Sequence, residues 1–264
     1  MLRLDNVSVT FNAGTPNEVK ALQNLSLFVE DGEFVTVIGS NGAGKSTLFN
    51  VVSGAVQADR GQIELDGEDI THMAEYRRSD HIGRVFQNPA MGTCPGLTIR
   101  ENLSLAAIHG QGASLRRDVK RSQEAWFIEQ LEHEQLGLEH RLDADVALLS
   151  GGQRQAVTLV MATLTKPKLL LLDEHTAALD PNAAEKVIGL TQSLAEAHGF
   201  TVVMITHSMQ QACTLGTRII MMNQGRIEFE ISGEERENLR PADLIERFHS
   251  LGSGAELSDR QLLA

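Results

Sequence analysis

The chain has 264 residues and a formal net charge of −12, from 23 basic and 35 acidic side chains. This length corresponds to one large domain or two small ones at roughly 150 residues per domain, and 42% hydrophobic residues exclude general disorder. The acidic excess argues against a protein that binds nucleic acid or anionic lipid through positive charge. Cys94 and Cys213 have no metal-ligand spacing and cannot make a disulfide framework, which favours a reducing compartment. Without an apolar run near the ~18 residues that span a bilayer, and without a signal-peptide pattern at the start, the sequence predicts a soluble cytosolic protein.

The first third of the chain has the hydrophobic patterns of strands. Alternating segments predict antiparallel strands that flank a parallel core, at residues 4–11, 25–30, 62–65 and 83–87. Residues 34–38 form a β-rich apolar run that ends at a glycine-rich turn. We expect a helix at about 45–53 after that turn, with Gly54 as its C-terminal stop.

The middle of the chain, between about residues 89 and 149, is helical in pattern. Residues 115–136 predict an amphipathic helix whose apolar positions are Val119, Trp126, Phe127, Leu131 and Leu136. This stretch is interpreted as a helical subdomain, at about 89–155, inserted into an α/β core.

The last part of the chain returns to an α/β pattern. Residues 169–172 and 201–205 are continuous apolar runs, typical of strands buried on both faces of a parallel sheet, with a helix at 182–198 crossing between them. A polar tail begins at Gly233, has a short helical pattern at 241–248 and is expected to fray beyond Gly252.

A phosphate-binding loop is predicted directly after the strand at 34–38. The residues that match its pattern are Gly39, Ser40, Asn41, Gly42, Ala43, Gly44, Lys45, Ser46 and Thr47. Glycines let successive backbone N–H groups converge on an anion, and the following helix adds its positive N-terminal dipole. Lys45 can reach the β- and γ-phosphates of a nucleotide, and the hydroxyl of Ser46 can ligate Mg²⁺.

Polar residues also end three other predicted strands. Asp173 and Glu174 follow the run at 169–172, at the strand end where α/β sheets bind ligands. Asp173 is expected to hold Mg²⁺, directly or through water, and Glu174 to act as general base on an attacking water. His207 closes the run at 201–205, where it can hydrogen-bond the γ-phosphate or the water, and Gln87 ends the alternating segment at 83–87.

A second anion site is predicted at the sequence Leu149-Ser150-Gly151-Gly152-Gln153. Ser150 is a good N-cap for a helix at about 153–164, and such a helix start exposes N–H groups. Because the phosphate loop already holds one nucleotide, a second site is explained if it closes over the nucleotide of a partner molecule.

These motifs and their order resemble those of the nucleotide-binding subunits of ATP-binding cassette (ABC) transporters, over about residues 1–232. The resemblance implies a P-loop NTPase with a mostly parallel sheet core, an N-terminal antiparallel β subdomain and the inserted helical subdomain; residues 233–264 are expected to be a short helical extension. It also implies that two copies pair head to tail. Each of the two ATP molecules then lies between the phosphate loop of one copy and Ser150, Gly151, Gly152 and Gln153 of the other.

The resemblance assigns further roles by position. Phe11 falls where the family places an aromatic ring against adenine, although residues 14–19 lengthen the following loop. Asp180 lies in the loop that communicates across the dimer. Gln87 is implied to sense the γ-phosphate and Mg²⁺ and to pass the change to the helical subdomain, which docks on the transmembrane subunits. His175 stands where many relatives have proline and is given no catalytic role.

Within the family, residues 91–103 and 173–180 resemble a branch of bacterial importer ATPases linked to solute-binding proteins and to amino acids such as tryptophan or tyrosine. The resemblance thus implies ATP hydrolysis that drives import through separate permease subunits, at the inner face of the cell membrane, without nucleic-acid binding. Two alternatives stay open: an ABC ATPase of iron–sulfur cluster assembly, and a scaffold that binds ATP without turnover.

Overall fold

The structure is a computed structural model and describes residues 1–108, 121–132 and 137–250. Their backbone divides into two units: unit 1 comprises Met1–Ser79 and the chain from Phe200, and unit 2 comprises Asp80–Gly199. The strands in this part of the chain, β1 to β10, are Leu2–Phe11, Val19–Val29, Phe34–Gly39, Arg60–Leu65, Glu68–Asp69, Ile82–Val85, Leu169–Asp173, Thr201–Ile205, Arg218–Asn223 and Arg226–Ser232. The α-helices, α1 to α9, are Lys45–Ser53, Glu75–Arg78, Ile99–Ile108, Arg121–Glu132, Gly151–Thr163, Pro181–His198, Met209–Thr214, Gly233–Glu237 and Pro241–Ser250.

Unit 1 contains an antiparallel sheet with the strand order β2-β1-β4-β5. Strand β1 pairs antiparallel with both β2 and β4, and its side chains at Leu2, Leu4, Val7 and Val9 are buried. Alternate residues of a strand point to opposite faces, and an irregularity between Leu4 and Val7 shifts this alternation by one residue, so all four side chains can be buried on one apolar face. The antiparallel strands predicted at 4–11, 25–30 and 62–65 are therefore confirmed.

Unit 1 also contains four strands in the order β10-β9-β3-β8. Strand β3 is parallel to both β8 and β9, and all five residues of β8 are buried, as expected for a strand covered on both faces. Helix α1 follows β3 at the predicted residues and ends at Gly54 in the left-handed conformation. Helix α9 packs on this part of unit 1, because Leu244 and Phe248 join a buried cluster with Ile38.

The buried side chain of Arg78 closes the C-terminal end of α1. Its guanidinium donates to the carbonyl oxygens of Val51 at 2.8 Å, Val52 at 3.0 Å, Thr71 at 3.0 Å and Met73 at 2.9 Å. The last carbonyls of a helix have no partner within the helix and carry partial negative charge. Arg78 therefore stabilises the C-terminal end of the helix that follows the phosphate loop.

Replacing Arg78 by Met is expected to lower the free energy of unfolding by about 3 kcal/mol, because four carbonyl groups lose the donor that Arg78 supplies. Urea denaturation measures this change. Arg60→Met is the control, because Arg60 is exposed on β4. Equal stability of the two variants would contradict the role of Arg78.

Unit 2 contains the parallel pair β6 and β7, with Val85 opposite Leu172. The antiparallel strand predicted at 83–87 is therefore wrong. The alternation was misleading because the polar residue in β6 does not face solvent: the side chain of Arg84 is only 14% exposed and reaches Asp173.

Helices α3, α4 and α5 of unit 2 contribute to one buried apolar cluster. Phe127 and Leu131 of α4 are fully buried, and Trp126 packs against the cluster. Of the helix predicted at 115–136, the structure describes 121–132; Val119 and Leu136 lie outside the described residues, as does the chain beyond Gly252. In the described ranges, no helix combines the length and the hydropathy needed to cross a membrane.

Candidate functional site

In unit 1, the predicted phosphate loop connects β3 to α1. At Gly39, a Cβ atom would lie 2.3 Å from the carbonyl oxygen of Met222, so only glycine fits where the chain leaves β3. Ala43 is buried and its carbonyl accepts from the N–H of Gly225 at 2.9 Å, whereas Asn41 and Ser46 are exposed. The loop is thus anchored at its base, with Gly44 as the residue before α1.

Lys45, the first residue of α1, is buried within the loop. Its Nζ donates to the carbonyl oxygens of Gly39 at 2.7 Å and Ser40 at 3.0 Å. These two bonds hold the ammonium group at the N-terminal end of a helix, where an anion is favoured. The geometry suits the binding of a phosphate chain.

His207 belongs to the same unit and lies at the same end of the strands as the phosphate loop. Val37 of β3 pairs with Ile205 of β8, and the N–H of Thr206 donates to the Val37 carbonyl at 3.2 Å. Gly39 ends β3, and His207 follows β8 by two residues, so both lie at the strand end where the loop begins. Ser208 then caps α7 by accepting from the N–H of Gln211.

Phe11 ends β1 and is 39% exposed. Its cross-strand partner is Val19, which is 55% exposed and which the sequence did not single out. The lengthened loop between them is ordered by the N–H of Gly14, which donates to Glu18 at 2.9 Å. Phe11 and Val19 therefore form an exposed apolar pair at the end of the hairpin.

In unit 2, Asp173 is the last residue of β7 and lies beside Arg84 of β6. The Nη2 atom of Arg84 is 3.5 Å from Oδ2 of Asp173, and the two side chains are only 14% and 15% exposed. A charge pair that is largely removed from water interacts more strongly than one on the surface. The sequence missed Arg84 because its partner is almost 90 residues away.

Glu174 and Gln87 lie at the carboxyl ends of the same parallel pair. Val85 is opposite Leu172, the last pair of the two strands, and Gln87 and Glu174 each follow two residues later. Glu174 has a left-handed backbone (φ 45°), and its carbonyl accepts from the N–H of Ala177 at 3.0 Å in the turn that follows. Gln87 is exposed and Glu174 half-buried.

His175 is buried, with 2% of its surface exposed, and burial lowers its pKa from 6.5 to about 4. Its Nε2 lies 3.1 Å from Oγ1 of Thr191, and that hydroxyl donates its own proton to the carbonyl of Val187 at 2.8 Å. Because Thr191 has no second proton, it must accept from His175, so Nε2 of His175 carries a proton. The lowered pKa keeps the ring neutral at pH 7. His175 ties the segment after Glu174 to helix α6.

The lowered pKa of His175 makes stability depend on pH between 6.5 and 4. In that window the unfolded chain binds a proton that the folded chain does not, so the folded state loses stability as the pH falls. We expect His175→Asn to reduce the difference in unfolding free energy between pH 7 and pH 4 by about 3 kcal/mol. Urea denaturation at the two pH values measures it, and an unchanged difference would contradict the assignment.

The N-termini of α5 and α6 line one cavity of about 320 Å³. Ser150 caps α5 by accepting from the N–H of Gln153 at 3.3 Å, while the Gln153 side chain accepts from the N–H of Ser150 at 3.2 Å. The predicted helix cap is thus confirmed. Asp180 caps α6 by accepting from the N–H of Ala183 at 3.0 Å. The positive ends of two helix dipoles at one cavity favour the binding of an anion. The negative charge of the Asp180 carboxylate opposes it.

The cavity also has two lining residues that the sequence did not indicate, Asn182 and Lys186 of α6. Lys186 adds a positive charge, but an exposed lysine on a helix has no distinguishing sequence pattern. Gly151 is exposed and Gly152 is buried, and Gly152 also lines the cavity.

The predicted residues thus fall into two groups. Unit 1 brings together residues 39–47 and His207 and also carries Phe11. Unit 2 brings together Gln87, Asp173 and Glu174 at one strand end, and residues 150–153 with Asp180 at one cavity. In the described ranges, no group of three or more His, Cys, Asp or Glu residues could hold a metal ion.

Comparison with known proteins agrees with these motifs. A family model described as ABC transporter matches residues 22–177. A tyrosine transport ATP-binding protein of Clostridioides difficile (strain R20291) is 44% identical over 94% of this chain and 98% of that protein. A spermidine/putrescine import ATP-binding protein of Pasteurella multocida (strain Pm70) is 34% identical over 85% of this chain and 58% of that protein.

A solved structure is also similar. It is the dimeric, post-hydrolysis state of an ATP-binding cassette bound to ADP and Pi, with a TM-score of 0.75 and 33% identity. The match covers 88% of this chain and 98% of the solved chain.

Proposed function

This chain belongs to the ABC transporter family and is an ATP-hydrolysing subunit, and from that premise we propose that it drives the import of a small solute through separate permease subunits. The observation that carries the proposal is the 44% identity, over nearly the whole of both chains, to a tyrosine transport ATP-binding protein. The substrate class that this favours is an amino acid such as tyrosine, delivered by a solute-binding protein. The import direction is supported by the spermidine/putrescine relative.

ATP binds first in unit 1. Gly39, Ser40, Asn41, Gly42, Ala43, Gly44, Lys45, Ser46 and Thr47 surround the phosphates, and adenine stacks on Phe11. The support is the buried Lys45 ammonium at the start of α1 and the exposed apolar pair of Phe11 and Val19. When a phosphate chain binds there, its negatively charged oxygens replace the carbonyl oxygens as acceptors of the Lys45 hydrogen bonds. Hydrogen bonds between two charged groups are stronger than those to a neutral carbonyl.

A second copy of the chain completes the site. Ser150, Gly151, Gly152 and Gln153, with Asp180, receive the phosphates of the ATP held by the other copy, in a head-to-tail dimer. The support is the cavity at which the α5 and α6 N-termini meet, together with the dimeric form of the similar solved cassette.

Hydrolysis follows when the dimer closes. Glu174 accepts a proton from the attacking water, while Gln87 and His207 orient the water and the γ-phosphate. Ser46, Asp173 and Gln87 offer a hydroxyl, a carboxylate and an amide oxygen, which are donors of the type that Mg²⁺ prefers. Mg²⁺ held by these three residues would neutralise charge on the phosphates. Lys45 stabilises the charge that develops on the γ-phosphate.

The surface that meets the permease is expected near Gln87. Met91, four residues further on, is 67% exposed, and Leu105 and Ile108 of α3 are 49% and 46% exposed. All three belong to unit 2, and exposed large apolar side chains are candidates for a surface that binds a partner. In this arrangement the protein is peripheral, on the inner face of the cell membrane.

The test is a pull-down of the tagged chain from detergent-solubilised membranes of its host, with ATPase activity measured on the eluate. Recovery of a polytopic membrane protein that changes the ATPase rate is the expected result. Solute dependence is then measured in vesicles that contain the complex, a solute-binding protein and either tyrosine or spermidine. An active ATPase recovered only with soluble partners would overturn the transport role and favour an assembly ATPase.

A further inference from the structure

Arg84 connects the carboxylate of Asp173 to the ring of Phe86. Its guanidinium lies 3.5 Å from Asp173 and its Cζ atom lies 4.7 Å from the centroid of the Phe86 ring. A guanidinium within about 6 Å of a ring centroid is attracted to the ring face. Phe86 directly precedes Gln87, so the contact between Arg84 and the ring lies next to the Gln87 segment.

Gln155 connects Phe86 to helix α5. This side chain is completely buried, and its Nε2 donates to the carbonyl oxygen of Phe86 at 3.2 Å. Its Oε1 atom is buried and has no hydrogen-bond partner among the described residues. A buried acceptor without a partner is unfavourable, so packing alone does not explain an amide at this position. What the amide provides is the bond to Phe86.

Helix α5 lies directly against β6. A Cβ atom on Gly83 of β6 would lie 2.5 Å from the carbonyl oxygen of Ala162 in α5. Tightly packed elements transmit small displacements, because they have no free volume in which to absorb them. The start of α5 carries Ser150 and Gly152, which line the cavity described above.

We propose that Arg84 and Gln155 are positioning residues that link the Asp173 carboxylate, through Phe86, to the N-terminus of α5. A cation that arrives at Asp173 competes with the Arg84 guanidinium for the carboxylate. Arg84 then moves with the Phe86 ring, and the Phe86 carbonyl moves Gln155 and α5. The cavity of each copy receives the nucleotide held by the partner. Its shape thereby changes when a cation binds at Asp173 of the same copy.

This inference rests on the proposed function, because that function assigns Asp173 to the metal and the α5 N-terminus to the partner's ATP. The two are tested separately. Asp173→Asn and Lys45→Ala test the proposed function, which fails if both variants hydrolyse ATP at the normal rate. Arg84 and Gln155 test the link alone.

The experiment is a double-mutant cycle with Arg84→Met and Gln155→Leu. We expect each single variant to lower kcat roughly tenfold with KM for ATP changed less than about twofold, and the double variant to be no slower than the slower single variant. Such non-additivity is typical of residues in one network. Effects that multiply in the double variant would overturn the link.

A second measurement does not depend on turnover. Trp126 is the only tryptophan of the chain and packs against the cluster that contains Val157 and Val160 of α5. With Glu174→Gln protein and ATP, the Trp126 emission is titrated with Mg²⁺. We expect Arg84→Met to lower the Mg²⁺ concentration at half-saturation severalfold, because the competing cation is gone. Gln155→Leu leaves that concentration unchanged but reduces the emission change. Unchanged titrations of both variants would overturn the link.

Two further variants complete the experiment, one as a control and one as a test of the Phe86 contact. Arg100→Met removes an arginine that pairs with Glu124 at 2.9 Å and Asp143 at 3.0 Å, and it is expected to behave as the wild type in both measurements. Arg84→Lys keeps the charge but loses the planar face that lies on Phe86. It should keep the wild-type Mg²⁺ half-saturation and still lower kcat, whereas a kcat equal to that of the wild type would count against the Phe86 contact.

Discussion

Replacing Glu174 by Gln is expected to lower the ATPase rate by ~10² to 10⁴, the usual effect of removing a general base. Glutamine has nearly the same shape but cannot accept the proton of the attacking water. Because ATP binding does not need that proton transfer, the variant should still bind ATP and accumulate as a closed dimer. The rate is measured by phosphate release, and the dimer by size-exclusion chromatography with ATP and Mg²⁺.

The matched control for this variant is Glu196→Gln, an equally conservative change at an exposed residue of α6. It should hydrolyse ATP at the wild-type rate and show the same proportions of monomer and dimer as the wild type. Turnover by Glu174→Gln at the rate of this control would remove Glu174 from the role of base.

Replacing Lys45 by Ala is expected to weaken ATP binding by roughly 10- to 100-fold. The ammonium makes charge-assisted bonds to the phosphates, and hydrogen bonds to charged groups contribute about 1.5–3 kcal/mol. The variant also leaves the carbonyl oxygens of Gly39 and Ser40 without the donor that they have in the wild type. The dissociation constant is measured by isothermal titration calorimetry with ATP, without turnover.

Lys168→Ala is the control for this second prediction. Lys168 is exposed and precedes β7, at the strand end opposite to Asp173. The control should bind ATP as the wild type does. If Lys45→Ala bound ATP as tightly as this control, the phosphate loop would not be the nucleotide site.

The sequence predicted the parts of the fold whose signals are local. The α/β P-loop NTPase fold is confirmed, and the helix after the phosphate loop begins and ends at the expected residues because a glycine-rich turn precedes it and Gly54 stops it. The fully buried strand β8 was recognised from its continuous apolar run. The roles of Lys45, Glu174 and the other site residues stay predictions.

What the sequence could not predict depends on contacts between distant residues. The predicted antiparallel direction of β6 was wrong, because Arg84 looked like a solvent-facing residue until its pairing with Asp173 was known. Lys186 and Asn182 gained significance only when α6 was found to share a cavity with α5. Val19 became a candidate through its register with Phe11 across the hairpin. Hydrophobic periodicity carries no information about such pairs.

The left-handed backbone at Glu174 restricts which amino acids position 174 can accept. Its φ of 45° brings Cβ close to the neighbouring carbonyl, a conformation that is costly for side chains branched at Cβ. Valine, isoleucine and threonine are therefore disfavoured there for backbone reasons alone, whereas asparagine, aspartate and glycine are tolerated. A variant library at this position would mix losses of chemistry with losses of folding, and only unbranched polar replacements separate the two.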